Sequence, residues 1–262
     1  VPIRAEHLMS APIVWRARGL KSARRLVLFA LLMVLETELA RRFGLIDVPT
    51  ALTALAVGLA ATLLAAAIQF ATYGQIWSEG ARGFGHALAT SLLALFILVP
   101  FLFGLAMLLL LPRANGETTD AADPPVIAGE GPVVLRTSHP AGLGFLGAVA
   151  GRRYPLSSVE LYAAAKSAAV DLGWSIRTED EPGNEETGGG FAAAAPTELF
   201  LLPGEVAVRV QPVDEGDATT VQARIDLTAA LPVLSDDLGF DSLRIRLFYR
   251  ALDARLAQSA DE

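Results

Sequence analysis

Hydrophobic and polar positions follow two rhythms along these 262 residues, and the change comes near residue 112. Before it, apolar residues run on almost without interruption. Segments 51–72 (ALTALAVGLAATLLAAAIQFAT) and 87–111 (ALATSLLALFILVPFLFGLAMLLLL) carry no charge. As helices, both are long enough to cross a hydrocarbon layer of roughly 30 Å. Ala54 and Gly58, four positions apart, either offer a neighbouring helix a close approach or reflect no more than alanine's preference for helices. Pro100 predicts a kink, because it removes one backbone donor. A shorter run, LVLFALLMVL at 26–35, supplies about 15 Å of helix at ~1.5 Å per residue. Glu36, Glu38, Arg41 and Arg42 follow it and read as a paired, snorkelling interface. The pattern therefore predicts three transmembrane helices within 26–111.

After residue 112 the pattern breaks into short, punctuated stretches. PRANGETTDAADPPVIAGEGP, 112–132, is rich in Pro, Gly and acid and reads as an extended linker. Ser157 and Glu160 form a capping-box pair and Gly173 stands at a stop position, so a helix is expected across 156–174. Strands are expected at 174–178, 189–200, 204–212 and 218–228. The clearest is EVAVRVQPV, in which Val206, Val208 and Val210 alternate with more polar neighbours. Asp214, Glu215, Gly216 and Asp217 supply a hairpin turn between the last two strands. A final helix at about 238–257 lines up Leu243, Leu247, Phe248, Ala251 and Leu252. These elements predict a small two-layer α+β domain with a four-stranded antiparallel sheet.

Charge divides the chain at the same place. Residues 1–112 hold nine Lys/Arg and five Asp/Glu, a net of +4; residues 113–262 hold twelve and twenty-three, a net of −11. Arg4, Arg16, Arg18, Lys21, Arg24 and Arg25 precede the first apolar run, which favours a cytoplasmic N-terminus. Three crossings would then carry the acidic domain into the periplasm, with Tyr73 and Trp77 in an aromatic belt. No signal peptidase site follows the first run, so that run is expected to stay as an anchor. The expected organisation is a basic cytoplasmic tail (1–25), a transmembrane region (26–111), a linker (112–132) and an extracytoplasmic domain (133–262) in a bacterial inner membrane. So acidic a domain lacks the basic footprint that nucleic acid requires. Cysteine is absent and only His7, His86 and His139 are present, which excludes disulfides and thiolate chemistry. No cofactor is implied.

Candidate chemistry is sparse. GLGFLG at 142–147 matches a dinucleotide fingerprint as text, but no strand–turn–helix unit surrounds it. Ser138 and His139 are neighbours in sequence, which does not assemble a nucleophile, base and oxyanion hole. Glu179, Asp180, Glu181, Glu185 and Glu186 read as a solvated hairpin without a calcium-loop pattern. Asp236, Asp237 and Asp241 stand just ahead of the last helix. One reading makes them a carboxylate site. The favoured one has Asp236 or Asp237 cap the helix while Asp241 complements its dipole.

Four stretches occur in a suggestive order: TDAADPP (119–125), RYPLSSVELYAAAKSAAVDLGW (153–174), EVAVRVQP (205–212) and DLGFDSLRIRLF (237–248). Together they resemble the bacterial family catalogued as domain of unknown function 1499, in a form with membrane spans ahead of the TD..DPP stretch. That family has no established activity. The resemblance implies a membrane-anchored envelope protein with a small α+β domain. Its usual Arg/Ser-rich strand end is replaced here by LTAALP (227–232), and a following asparagine by Asp241. Arg209, Arg224, Arg244 and Arg246 are then candidate substitutes for any anion or partner contact, although salt-bridged strand and helix surfaces are the favoured reading of them. The expected function is non-catalytic: a bilayer-embedded protein whose domain binds a membrane-protein partner or a lipid-like, apolar ligand. The alternatives are a hydrolytic or lipid-modifying enzyme that uses the three aspartates, and an accessory or assembly subunit of a membrane complex.

Overall fold

The computed structural model describes residues 17, 19–127, 133–136, 148–197, 201–213 and 221–260. GLGFLG, the Ser138–His139 pair, the turn at 214–217 and the first basic residues of the tail lie outside them. The chain forms two compact units, Val1–Leu102 and Phe103–Glu262.

In the first unit, α1 (Leu20–Arg42), α2 (Val48–Glu79) and most of α3 (Phe84–Leu110) share a core of Val27, Ala30, Ala65, Ala94 and Ile97. The side chain of Asp47 accepts the Thr50 amide at 3.1 Å and starts α2; Gly80, at φ 63°, ends it. Gly58 is buried against α1, where a Cβ would lie 3.7 Å from the Ala30 carbonyl oxygen and from Met33 and Val34. The small residue thus sits at the helix–helix contact. Glu38 and Arg42 pair at 2.7 Å, one helical turn apart. Pro100 lies inside α3, which continues past it.

Two helices, α2 and α3, are long and apolar enough to cross a membrane, which corrects the expectation of three. The reason lies in α1 itself. It is 23 residues long, but Lys21, Arg24 and Arg25 precede its ten apolar residues and Glu36, Glu38, Arg41 and Arg42 follow them. An uncharged stretch of about 15 Å, at ~1.5 Å per residue, is half a bilayer core.

In the second unit, α4 (Ser158–Asp171) and α5 (Phe240–Ala260) pack on one face of an antiparallel sheet. The sheet has six strands rather than four. β3 (Ser175–Asp180), β4 (Gly189–Ala194), β5 (Glu205–Pro212) and β6 (Ala223–Ala230) form the expected meander. β1 (Gly116–Thr118) and β2 (Arg152–Tyr154) share the free edge of β6, with registers Gly116↔Ala230 and Arg152↔Ile225. Each is three residues long and shows no apolar alternation, so a pattern search passes over it. β1 also places residues 114–119 in the interior, inside the stretch expected to be a linker.

Alternation dictates the core. Val206, Val208 and Val210 of β5, with Ile225, Leu227 and Ala229 of β6, meet Leu161 of α4 and Ile245, Phe248 and Leu252 of α5. Trp174, just after α4, stacks on Phe248 with ring centroids 5.3 Å apart. At the start of α4, Ser157 Oγ accepts the Glu160 amide at 3.2 Å, and the Glu160 carboxylate accepts the Ser157 amide at 3.1 Å. Ser157→Ala is expected to cost about 1 kcal/mol, read as a lower melting temperature of the purified chain, with Ser157→Asp restoring most of it.

Candidate functional site

The approach to α5 is built by the DDLGF stretch. Leu238 (φ 51°) and Gly239 (φ 80°) are both left-handed, so helical geometry begins at Phe240 rather than at residue 238. Left-handed geometry costs a leucine roughly 1–2 kcal/mol, and hydrogen bonds around it hold the turn. The Asp236 carboxylate accepts the Leu238 amide at 2.9 Å, and the Asp237 carbonyl accepts the Phe240 amide at 2.9 Å. The Asp237 side chain accepts the Asp241 amide at 3.2 Å, inside the first helical turn. In the second unit's core, Leu238 packs on Met107 and Leu111.

These aspartates are not gathered around an open cleft. Asp237 is sealed in a buried ion network in which Arg136 bridges it to Glu117, the second contact at 3.1 Å. All three side chains are 0% exposed. Burial acts against the Arg136 charge more than any other influence. The hydrogen bond to Asp237 and the attraction of Asp237 and Glu117 together outweigh it, and hold the guanidinium pKa above its ordinary value. Asp241 is also fully buried and ion-paired with Arg244 one turn along. Desolvation nevertheless dominates there: against the pull of Arg244, it pushes the Asp241 pKa up to about 8, helped by the nearby Asp237 and Glu117 charges. Among the described residues, no group of three or more His, Asp or Glu side chains is placed to hold a metal ion.

Arg209 and Arg224 face a different region, the side of the sheet away from the helices. The Asp120 carboxylate accepts the Ala122 and Asp123 amides at 3.1 and 3.2 Å and pairs with both arginines at 3.3 Å. Arg209 also meets Asp123 at 2.7 Å, and Arg224 meets Asp226 at 2.8 Å. The Asp123 amide bond, followed by the smaller help of Ala122, Arg224 and Arg209, outweighs desolvation and keeps the Asp120 pKa below its usual range. The TDAAD stretch is thereby strapped to β5 and β6, and the charge of both arginines is used internally. Arg246 is half-buried on α5 and engaged within the fold.

Arg244 differs from these. It is 7% exposed and lies in the wall of an apolar groove of about 250 Å³. Leu172 and Trp174 form one side, Pro196 and Thr197 after β4 form the end, and Phe240, Leu243 and Leu247 of α5 form the other side. The guanidinium packs directly over Gly204, where a Cβ would lie 2.5 Å from Nη2 and 2.5 Å from the Ala195 carbonyl oxygen. Only glycine leaves room there for the arginine to lie flat. A wider depression of about 530 Å³ along α4 holds Lys166 and Arg255. Its cations are already matched, Lys166 by Glu179 and Glu181 and Arg255 by Asp171.

Sequence reasoning singled out Asp236, Asp237, Asp241, Arg209, Arg224, Arg244 and Arg246 as one set. The structure brings Asp236, Asp237, Asp241 and Arg244 together at the start of α5, and places Arg209 and Arg224 elsewhere with Asp120, Asp123 and Asp226. Glu117, Arg136 and Trp174 were not singled out. The one available signal was Arg136 as a lone charge closing the apolar run PVVLR. Comparison with known proteins adds no relative: no protein family model, no curated protein and no solved structure matches the chain.

Proposed function

We propose that this is a membrane-anchored, non-catalytic protein whose Phe103–Glu262 unit binds an apolar ligand, or the apolar end of a partner, in the groove beside α5. The observation that carries this reading is the groove's composition. It is apolar on both long sides, with Leu243 half-exposed and Trp174 in the wall. Ligand sites are commonly apolar concavities with a few convergent polar groups. The four ordered stretches that resemble domain of unknown function 1499 fit the same reading of a membrane-anchored envelope protein.

The two apolar helices allow a membrane location, and we place the chain in a bacterial inner membrane. Two crossings put the start of α2 and the end of α3 on one face of the membrane and the connection between them on the other. Lys21, Arg24 and Arg25 lie beside that connection, where the Ala17 amide meets the Arg82 carbonyl and Arg24 shares a depression with His86 and Thr90; they favour the cytoplasmic side for it, and so the periplasmic side for the end of α3. The chain has no natural cysteine, so single cysteines at Arg25 and Ser175 report orientation cleanly. Arg25→Cys is expected to resist a membrane-impermeant maleimide until the cells are lysed, whereas Ser175→Cys is expected to label in intact spheroplasts; protection of Ser175→Cys there would overturn this placement.

Trp174 provides the binding readout. With Trp15 and Trp77 replaced by Phe, a brominated decyl alcohol is expected to quench the Trp174 emission of the full chain in nanodiscs. Leu243→Asp, a change at an exposed groove position, is expected to weaken that quenching at least tenfold. Equal quenching in both proteins would mean simple partition into lipid and would sink the groove as a site.

A further inference from the structure

Building on the reading of the groove as a ligand site, we propose that its ligand is a single-chain amphiphile with a carboxylate head, the chain lying along Trp174 and Leu243 and the head meeting Arg244. Size sets the first limit. A cavity of about 250 Å³ falls just under the roughly 300–1,000 Å³ typical of sites for drug-sized ligands. It therefore suits one chain segment rather than a two-chain lipid.

Charge sets the second limit. Among the described residues lining the groove the one cation is Arg244, and it is held in a fixed position. Asp241 pairs with Nη1 from the helix side, and the bare backbone of Gly204 lies against Nη2. A guanidinium is planar and presents a fork of donors that matches a carboxylate. Arginines elsewhere in the unit that meet several carboxylates, Arg136, Arg209 and Arg224, are spent on Glu117, Asp237, Asp120, Asp123 and Asp226. Arg244 instead faces a groove whose other walls are apolar or hydroxyl-bearing. An uncharged ligand would leave that cation facing hydrocarbon, which is costly. A cationic head would meet like charge. A carboxylate satisfies it.

The test compares brominated decanoate with its methyl ester, using Trp174 quenching in the full chain with Trp15 and Trp77 replaced by Phe. Decanoate is expected to bind at least tenfold more tightly than the ester. Arg244→Met is expected to erase that preference while leaving ester binding within about threefold. Because Arg244→Met strips the partner from buried Asp241 and can unfold the chain, Asp241→Asn supplies an independent arm. Measured at pH 9, where Asp241 is ionised, it releases Arg244 from its internal anion and is expected to tighten decanoate several-fold without changing the ester. Equal affinity for acid and ester in the parent overturns the carboxylate assignment and leaves the groove reading standing. No quenching by either, or quenching undiminished by Leu243→Asp, brings down both. Butyrate and inorganic phosphate serve as competitors: displacement of decanoate by either at equal concentration would show that the head alone carries the affinity, and would overturn an amphiphile ligand.

Discussion

Arg136→Met is expected to destabilise the chain by about 3–5 kcal/mol, the usual cost of stripping one partner from a buried ion pair. The cost does not come from lost attraction alone. Glu117 and Asp237 are both 0% exposed, so removing Arg136 leaves two carboxylates close together in the interior with their one shared cation gone. Either a charge stays buried uncompensated or a proton is taken up to cancel it. The deficit should therefore be smaller at pH 5 than at pH 8. Because the network joins β1, the 133–136 segment and the turn before α5, the loss is expected to loosen all three. Slow-exchanging amides there should become fast. A triple variant, Arg136→Met with Glu117→Gln and Asp237→Asn, removes the charges together and keeps an acceptor for the Asp241 amide. Neutral replacements of a whole buried network are often tolerated, so the triple variant should regain at least half of the lost stability. The measurement is chemical unfolding in detergent of parent, single and triple variants at both pH values. A single variant within about 0.5 kcal/mol of the parent would show that water reaches the network.

How far the fold could be read from sequence follows from how each element is specified. α2, α3, α4, β5 and α5 announce themselves because each carries its own period or its own cap: uncharged length, the Ser157–Glu160 box, or Val206–Val208–Val210. β1 and β2 exist because β6 has a free edge that they complete, and three residues such as Gly116–Glu117–Thr118 have no period to detect. The first apolar run misled for a related reason. Its ten residues resemble a span until the charges on both sides are counted as part of the same helix. At the candidate site, the aspartates before α5 were visible as helix-start residues because capping is local. Their partners were not, since Arg136 stands 101 positions from Asp237 and Glu117 stands 19 from Arg136. The groove is harder still to foresee. It joins the end of α4, the exit of β4 and one face of α5, and it depends on a glycine, Gly204, whose missing side chain leaves room for Arg244.

Asp241→Asn is expected to make the protein more stable than the parent at pH 8–9 and nearly equal to it at pH 4–5. The sign follows from linkage. Burial raises the folded-state pKa of Asp241 from the usual 3.8 to about 8, so between those values the folded chain holds a proton that the unfolded chain has lost. Stability that is fully present below pH 4 is then lost progressively as pH rises to 8. The groups facing Asp241 fix the size of the effect. Arg244 and Arg136 favour its charge, while Asp237 from the preceding turn and Glu117 from β1 oppose it. Its Oδ1 is taken by Arg244, and its Oδ2 is buried without a partner, which is where a proton, or the amide of an asparagine, would sit. An asparagine still accepts from Arg244 and never has to ionise in the interior. Melting temperatures of parent and variant across pH 4–9 should therefore diverge by several degrees toward the alkaline end. A variant less stable than the parent by a constant amount at every pH would mean instead that the Asp241–Arg244 attraction outweighs desolvation. Arg244 would then be fully neutralised from within, and it would have little charge left to offer a ligand in the groove.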